Sequence, residues 1–285
     1  MSTAVTESST PAADSFEYFL LERDGPVLHA WINRPEARNA LSFAVGEEWD
    51  RVLDLAEGDA EIRVVTLRGK GPVFSAGHDL KEVAAGYASR DAAAGTAWEN
   101  KLPSLPRSWY FPKTIIAGVH GYVGPAAQRL LAPIDFIIAA RGTRFSFEQA
   151  RMGSGDPGGN ILAFQLPMRV IKQMWLMGGW FDADAAVAMH YAQRVVEPAD
   201  IEAEVRKWAV SAAGLDPAQV AVYKEGIRRI YEIQGLLGVI GYGSRQSGHV
   251  SQQDKAFFQT IMEGGMKEAL KLRQSDVDQT VTEIR

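Results

Sequence analysis

Short apolar runs alternate with helical stripes from Phe16 to Ala140, and this alternation predicts an α/β arrangement. The runs Tyr18–Glu22, Val27–Ile32, Arg63–Arg68, Thr114–Val119 and Phe136–Ala140 read as strands. Gly25-Pro26 separates the first two, which makes them a hairpin. Between the second and third strands, Val45, Trp49, Val52, Leu53 and Ala56 recur at helical spacing and define an inward stripe. Ser42 is expected to cap this helix and Gly58 to stop it.

After Phe145 the pattern turns helical. Ile161–Met177, Ala183–Val196 opening after Asp182, Ile201–Ala213, Pro217–Leu237 and Gln252–Arg273 read as helices. Ala84–Trp109 is alanine-rich with Gly and Pro interruptions, and reads either as a lid or as a connector. No repeat of fixed period and no low-complexity block interrupts the chain.

The chain has 285 residues, 46% of them hydrophobic, enough for a substantial core. A net charge of -5 carries no basic excess, which argues against sequence-independent binding to nucleic acid or to an anionic membrane. The absence of cysteine removes disulfides, thiolate nucleophiles and cysteine-ligated metal centres. Residues 1–14 lack the apolar core of a signal peptide and read as a disordered leader, and no apolar stretch approaches the ~20 residues of a membrane span. A cytoplasmic location is expected.

Candidate chemistry concentrates in two turns, Phe74-Ser75-Ala76-Gly77-His78-Asp79-Leu80 and Gly118-Val119-His120-Gly121-Tyr122-Val123-Gly124-Pro125-Ala126-Ala127. Each follows a β-branched run and places small residues where the backbone must turn sharply. Main-chain N–H groups at such turns point into a cavity rather than into a ladder, and two that converge would hold an enolate or oxyanion. No nucleophile-elbow pattern surrounds a serine, Gly69-Lys70-Gly71-Pro72 lacks phosphate-loop spacing, and His78-Asp79 has no third metal ligand.

At these residues the chain resembles the crotonase (enoyl-CoA hydratase/isomerase) superfamily, from about Phe16 to Arg273. Ile32 to Ser42 is similar to the family's first strand-to-helix signature, and Phe74–Leu80 to its first oxyanion turn. Pro112-Lys113 to Tyr122 with Asp135–Ala140 tracks the second turn, and Gly178–Val196 the segment that opens the C-terminal helices. The resemblance implies a spiral of β-β-α units over residues 15–200 and a helical subunit-contact region over 201–285. It also implies trimers or hexamers and an acyl-CoA thioester substrate, with coenzyme A part of the substrate and no separate cofactor. Carried over, the oxyanion donors are the backbone N–H groups of His78 and Ala126. Coenzyme A would lie along Ala37 and Arg38, with its adenine near Ser75 and Ala76.

The chain departs from the family pattern at two places. Gly124-Pro125-Ala126-Ala127 replaces a run of glycines, and Pro125 has no N–H and a fixed φ, so the loop is expected to differ there. The two positions that hold glutamates in family hydratases carry Arg129 and Gln149, which cannot exchange protons as carboxylates do. Double-bond isomerisation, C–C hydrolysis of a β-dicarbonyl and thioester hydrolysis therefore stand beside hydration. A catalytically silent acyl-CoA-binding protein stands beside all of them.

Two carboxylates near the vacated positions are candidates for moving a proton. Glu148 adjoins Gln149, and its structural alternative is an ion pair with Arg129 or Arg151. Asp156 sits in Gly153–Gly159 and is either a base or nucleophile, or the cap of a turn. His120 either polarises a substrate carbonyl or is a core histidine. Arg129 either holds an anionic group or fills the space the glutamate left. Tyr122, Trp98, Trp109 and Tyr242 either shape an acyl pocket or belong to the core.

Overall fold

A computed structural model describes residues 16–82, 106–147, 161–240, 252–265, 268–269 and 282–284. The hairpin is present: β1 (Phe19–Asp24) pairs antiparallel with β2 (Val27–Ile32), Asp24 opposite Val27. After a 3-10 turn at Pro35–Ala37, α1 (Phe43–Gly58) opens with the Ser42 side chain accepting from the Val45 N–H, and Asp59 closes it one residue beyond Gly58. Its buried stripe is Val45, Trp49, Val52, Leu53 and Ala56, as the spacing predicts, with Glu48 added.

The chain then supplies strands to two sheets in turn. The first has the order β1-β2-β3-β4-β6-β9, with β3 at Val64–Gly69, β4 at Thr114–Val119, β6 at Phe136–Ala140 and β9 at Arg194–Val196. All its pairings after the hairpin are parallel. The second sheet has the order β10-β8-β7-β5, built from β5 (Tyr122–Val123), β7 (Arg144–Ser146), β8 (Trp180–Asp182) and β10 (Glu283–Ile284). A single turn of chain passes from β4 to β5, through α3 (Pro125–Leu131), and back to β6 and on to β7. This is a spiral of β-β-α units. The one-turn helix α2 (Arg107–Tyr110) precedes β4.

Each face of the first sheet buries alternate side chains, as period-two geometry requires. Leu28, Ala30, Val65, Leu67, Ile115 and Ile137 join the main core with α1 and the second sheet. Val27, Val64, Ile116 and Ile138 face the other way and are covered by Val205, Ala209 and Ala213 of α7 (Ile201–Ala213).

Three helical expectations are corrected. Ile161–Met177 is two helices, α4 (Leu162–Gln165) and α5 (Met168–Met177), because Pro167 cannot continue the first. Ala183–Val196 is helical only over α6 (Ala183–Ala188), where the Asp182 side chain caps the Ala185 N–H. His190 then takes φ 60°, which ends helical geometry, and Arg194–Val196 pairs with β6 instead. The later helices are α8 (Pro217–Ile233), a turn at 236–240, and α9 (Gln252–Gly264). The strand at Glu283–Ile284, paired parallel with β8, lies within the 201–285 region expected to be helical and corrects that expectation at its end.

Candidate active site

The first small-residue turn is held by its own backbone. Phe74 N–H donates to the His120 carbonyl, Ser75 N–H to Tyr122, and Ala76 N–H to Arg38. Ser75 is fully buried; its hydroxyl donates to the Asn39 carbonyl at 2.7 Å and accepts from the Gly77 N–H at 3.1 Å. Leu41 then brackets His78 in a parallel bridge, taking the Gly77 carbonyl on one side and the Asp79 N–H on the other. In such a bridge the bracketed residue's own N–H faces away from its partner strand. The His78 N–H is therefore directed away from Leu41.

The second turn meets the first closely. Gly124 N–H donates to the Ser75 carbonyl, and a β-carbon on Gly124 would stand 2.1 Å from the Ala76 carbonyl oxygen, so only glycine fits there. Pro125 occupies the first position of α3, where a missing N–H costs nothing and the fixed φ suits the helix. The departure from a glycine run is thus absorbed at the helix start. Ala126 is the second helical residue, and its N–H has no intrahelical acceptor.

His78 and Ala126 line one cavity of about 370 Å³. Arg129 and Leu130 of α3, Phe19 of β1 and Pro106 complete one part of its wall. The rest comes from α1 and its approach, including Leu41, Phe43, Gly46, Trp49 and Asp50. Trp49 donates its indole N–H to the Ser108 hydroxyl at 2.9 Å and stacks on Phe19, which leaves its ring as apolar wall. Burial holds the Asp50 carboxyl above the usual aspartate range; Arg107 opposes this and Asp54 adds to it. Among the described residues no group of three or more His, Asp or Glu side chains is placed to hold a metal.

The other described sequence candidates lie outside the lining of this cavity. Ala37 and Arg38 form the turn whose Arg38 carbonyl accepts from Ala76, so they adjoin the first turn directly, and the Arg38 side chain is exposed. Arg38 and Asn39 both have positive φ, and the buried Asn39 side chain fixes them by accepting from Arg34 N–H and donating to the Lys70 and Val73 carbonyls. His120 hydrogen-bonds the Gly71 carbonyl through Nε2 at 2.9 Å, tying the two loops together outside the cavity wall. Tyr122 lies in β5 and contributes its carbonyl to Ser75. Trp109 packs edge-on against Tyr231 beside the main core. Glu148, Gln149, Arg151, Asp156, Trp98 and Tyr242 lie outside the described residues, as does most of the Ala84–Trp109 segment.

Sequence reasoning missed Asn39, Gly46 and Asp50. A glycine in the first turn of the helix, one turn before an aspartate that abuts the buried stripe, was the available signal for the last two.

A two-sheet spiral with a cavity where two successive strand-to-loop turns meet defines the crotonase fold. The profile of the enoyl-CoA hydratase/isomerase family matches residues 22–264, and the chain belongs to that family of lyase- and isomerase-type enzymes. It is 31% identical over 220 residues to the carnitinyl-CoA dehydratase of Salmonella enteritidis PT4, covering 75% of this chain and 81% of that protein. Among solved structures, an enoyl-CoA hydratase/isomerase from Xanthobacter autotrophicus Py2 superposes with a TM-score of 0.85 at 26% identity, over 93% of this chain and all of the other. An enoyl-CoA hydratase from Mycobacterium smegmatis shares the fold at a TM-score of 0.80 and 20% identity, over 92% and 95% of the two chains.

Proposed function

We propose that the chain converts an acyl-CoA thioester through its enolate, with the backbone N–H groups of His78 and Ala126 receiving the thioester oxygen. The observation that carries this reading is that both residues wall one cavity, the His78 N–H directed away from its bridging strand and the Ala126 N–H without an intrahelical acceptor. Two such donors converging on the thioester oxygen favour the oxyanion over the carbonyl, which lowers the barrier to proton removal at the adjacent carbon. Coenzyme A would lie along Ala37 and Arg38 and pass Ser75 and Ala76 by their backbone, since the Ser75 hydroxyl is committed within the turn.

Arg129 lines the cavity; the resemblance aligns it with a glutamate of family hydratases, and on this reading it brings positive charge to the acyl end of the site. This favours an acyl group with an anionic or strongly polar substituent. The likeness to a carnitinyl-CoA dehydratase supports removal of water from a β-hydroxyacyl thioester, and the loss of both hydratase glutamates supports double-bond isomerisation. Glu148 and Asp156 are the sequence's candidates for moving the proton.

The test is incubation with hydroxyacyl-, enoyl- and β-ketoacyl-CoA thioesters in deuterated water, followed by mass spectrometry. Loss or gain of water, double-bond movement or deuterium at the α-carbon is expected. Cleavage to free CoA and acid without α-exchange would move the assignment to hydrolysis, and tight binding without any conversion would move it to a silent binding protein.

We further propose a homotrimer or a pair of trimers, with the region after Ile201 making the subunit contacts. On α8, Val222, Tyr223, Ile227, Ile230 and Ile233 are each more than half exposed in the single chain. Light scattering on the eluting protein is expected to give three or six subunits, and a monomer at micromolar concentration would reject the assignment.

A further inference from the structure

Proton transfer at the α-carbon needs a group that accepts and returns a proton beside the thioester, and the second turn supplies Arg129 where a carboxylate would stand. Among the described residues the cavity is lined by two carboxylates, Glu47 and Asp50, both on α1. Glu47 is exposed, whereas Asp50 is half-buried. The neighbouring acids have structural partners: Glu48 accepts from the Glu17 and Tyr18 N–H groups, and Asp54 pairs with Arg107. No hydrogen bond or ion pair to Asp50 occurs among the described residues, so no contact there ties its carboxylate down.

One turn earlier on the same face lies Gly46. Glycine within a helix costs about 1 kcal/mol against alanine, yet a β-carbon there would meet nothing within 4 Å. Helix packing does not require glycine at this position. Its effect is to leave the space over the cavity beside Asp50 open. A carboxylate with no hydrogen bond or ion pair among the described residues and an unfilled helix position thus share one wall of the chamber that holds His78 and Ala126.

We infer that Asp50 is a catalytic acid-base residue that takes the α-proton of the bound thioester and returns it. In the step, the Cα–H bond breaks and an O–H bond forms on the Asp50 carboxylate. The C–H electron pair becomes the Cα=C bond of the enolate, whose oxygen charge lies at the His78 and Ala126 N–H groups. Once the carboxyl proton has exchanged with solvent, delivery of the solvent-derived proton to Cα gives isotope exchange, and delivery of a proton to Cγ of a dienolate gives isomerisation; either restores the carboxylate. Burial favours the protonated form of Asp50, which brings its proton affinity toward that of a working acid-base. Arg107 from α2, Arg129 from α3, Asp54 and Glu47 from α1 and the His78 ring are the charged or titratable groups around it. This assignment rests on the enolate reading given above.

The experiment compares wild type, Asp50→Asn, Asp50→Glu, Glu148→Gln and Asp156→Asn on hexanoyl-CoA and 3-hexenoyl-CoA in deuterated water, read by mass spectrometry. Asp50→Asn is expected to lower α-exchange and isomerisation at least 100-fold while hexanoyl-CoA binding stays within threefold. Its melting temperature should hold or rise, because the variant loses a buried ionisation rather than a contact. Asp50→Glu should restore part of the rate with a displaced pH–rate profile. Exchange within threefold of wild type in Asp50→Asn would overturn the assignment, whichever of the other two variants is inactive. Should Asp50→Asn not fold, an unchanged rate and pH profile in Asp50→Glu would overturn it equally. Wild type that converts and exchanges no thioester would instead refute the enolate reading, and the role of Asp50 with it.

Discussion

Gly77 lies against the amide of Ala126: a β-carbon on Gly77 would stand 3.4 Å from the Ala126 nitrogen. Gly77 also has φ +97°, a region that L side chains avoid. Gly77→Ala is therefore expected to cost about 1–3 kcal/mol of stability through backbone strain. It also sets a methyl group beside one of the two proposed donors. Loss of one oxyanion donor lowers turnover by roughly 100-fold or more, so kcat should fall far more than thioester affinity. Equal loss in kcat and binding would show that the turn shapes the site without polarising the substrate.

Ser75 links the two halves of the first turn, one hydroxyl bonding both Asn39 and Gly77. Removing it leaves the Asn39 carbonyl and the Gly77 N–H without this partner in a fully buried place. Ser75→Ala is expected to destabilise the protein by about 1–3 kcal/mol, measured by urea unfolding. Because the same residue sets the position of His78, a parallel drop in kcat is expected, with little change in affinity for free CoA.

The hairpin, the five long strands, the Ser42 cap and the α1 stripe were legible because periodicity and cap chemistry act locally. The second sheet was not. Tyr122–Val123, Arg144–Ser146 and Trp180–Asp182 are too short to show a period of two, and their pairing is set by the spiral. Arg194–Val196 was read as helix because an alanine-rich run precedes it and the reversal at His190 leaves no Gly or Pro mark. Of the site, the two turns were visible in their small residues, since close backbone approach admits nothing larger. Asp50 was not, because a stripe of apolar neighbours on a helix reads as core, and only the tertiary fold shows which edge of that stripe borders a cavity.

Gly46 offers a separation of stability from function. Gly46→Ala adds a methyl where nothing lies within 4 Å, and should raise stability by about 0.5–1 kcal/mol. Short thioesters should be turned over at the wild-type rate. Gly46→Leu projects into the same opening and should raise KM for long or branched acyl chains by tenfold or more, while sparing a four-carbon chain. Unchanged chain-length preference in Gly46→Leu would show that the acyl group runs elsewhere.

Far from the cavity, His29 gives the fold an acid limit. Its side chain is 1% exposed, with Nδ1 2.8 Å from the Thr66 hydroxyl and Nε2 3.0 Å from Arg206. Arg206 can only donate, so Nε2 accepts and the proton sits on Nδ1. A second proton on Nε2 would face the guanidinium and remain buried. Burial first, and then Arg206 and Arg68, hold the His29 pKa at about 4 against an ordinary value of 6.5, while Glu22 and Asp24 oppose the shift. The unfolded chain thus takes up a proton near pH 6.5 that the folded chain refuses until about pH 4. The stability contribution is complete above pH 6.5 and is lost as pH falls through that window, by about 3 kcal/mol in all. His29→Gln, which keeps polar atoms for Thr66 and Arg206, should unfold at a urea midpoint that changes less between pH 7 and pH 4 than the wild-type midpoint does. Parallel curves for the two proteins would assign the acid sensitivity to other groups.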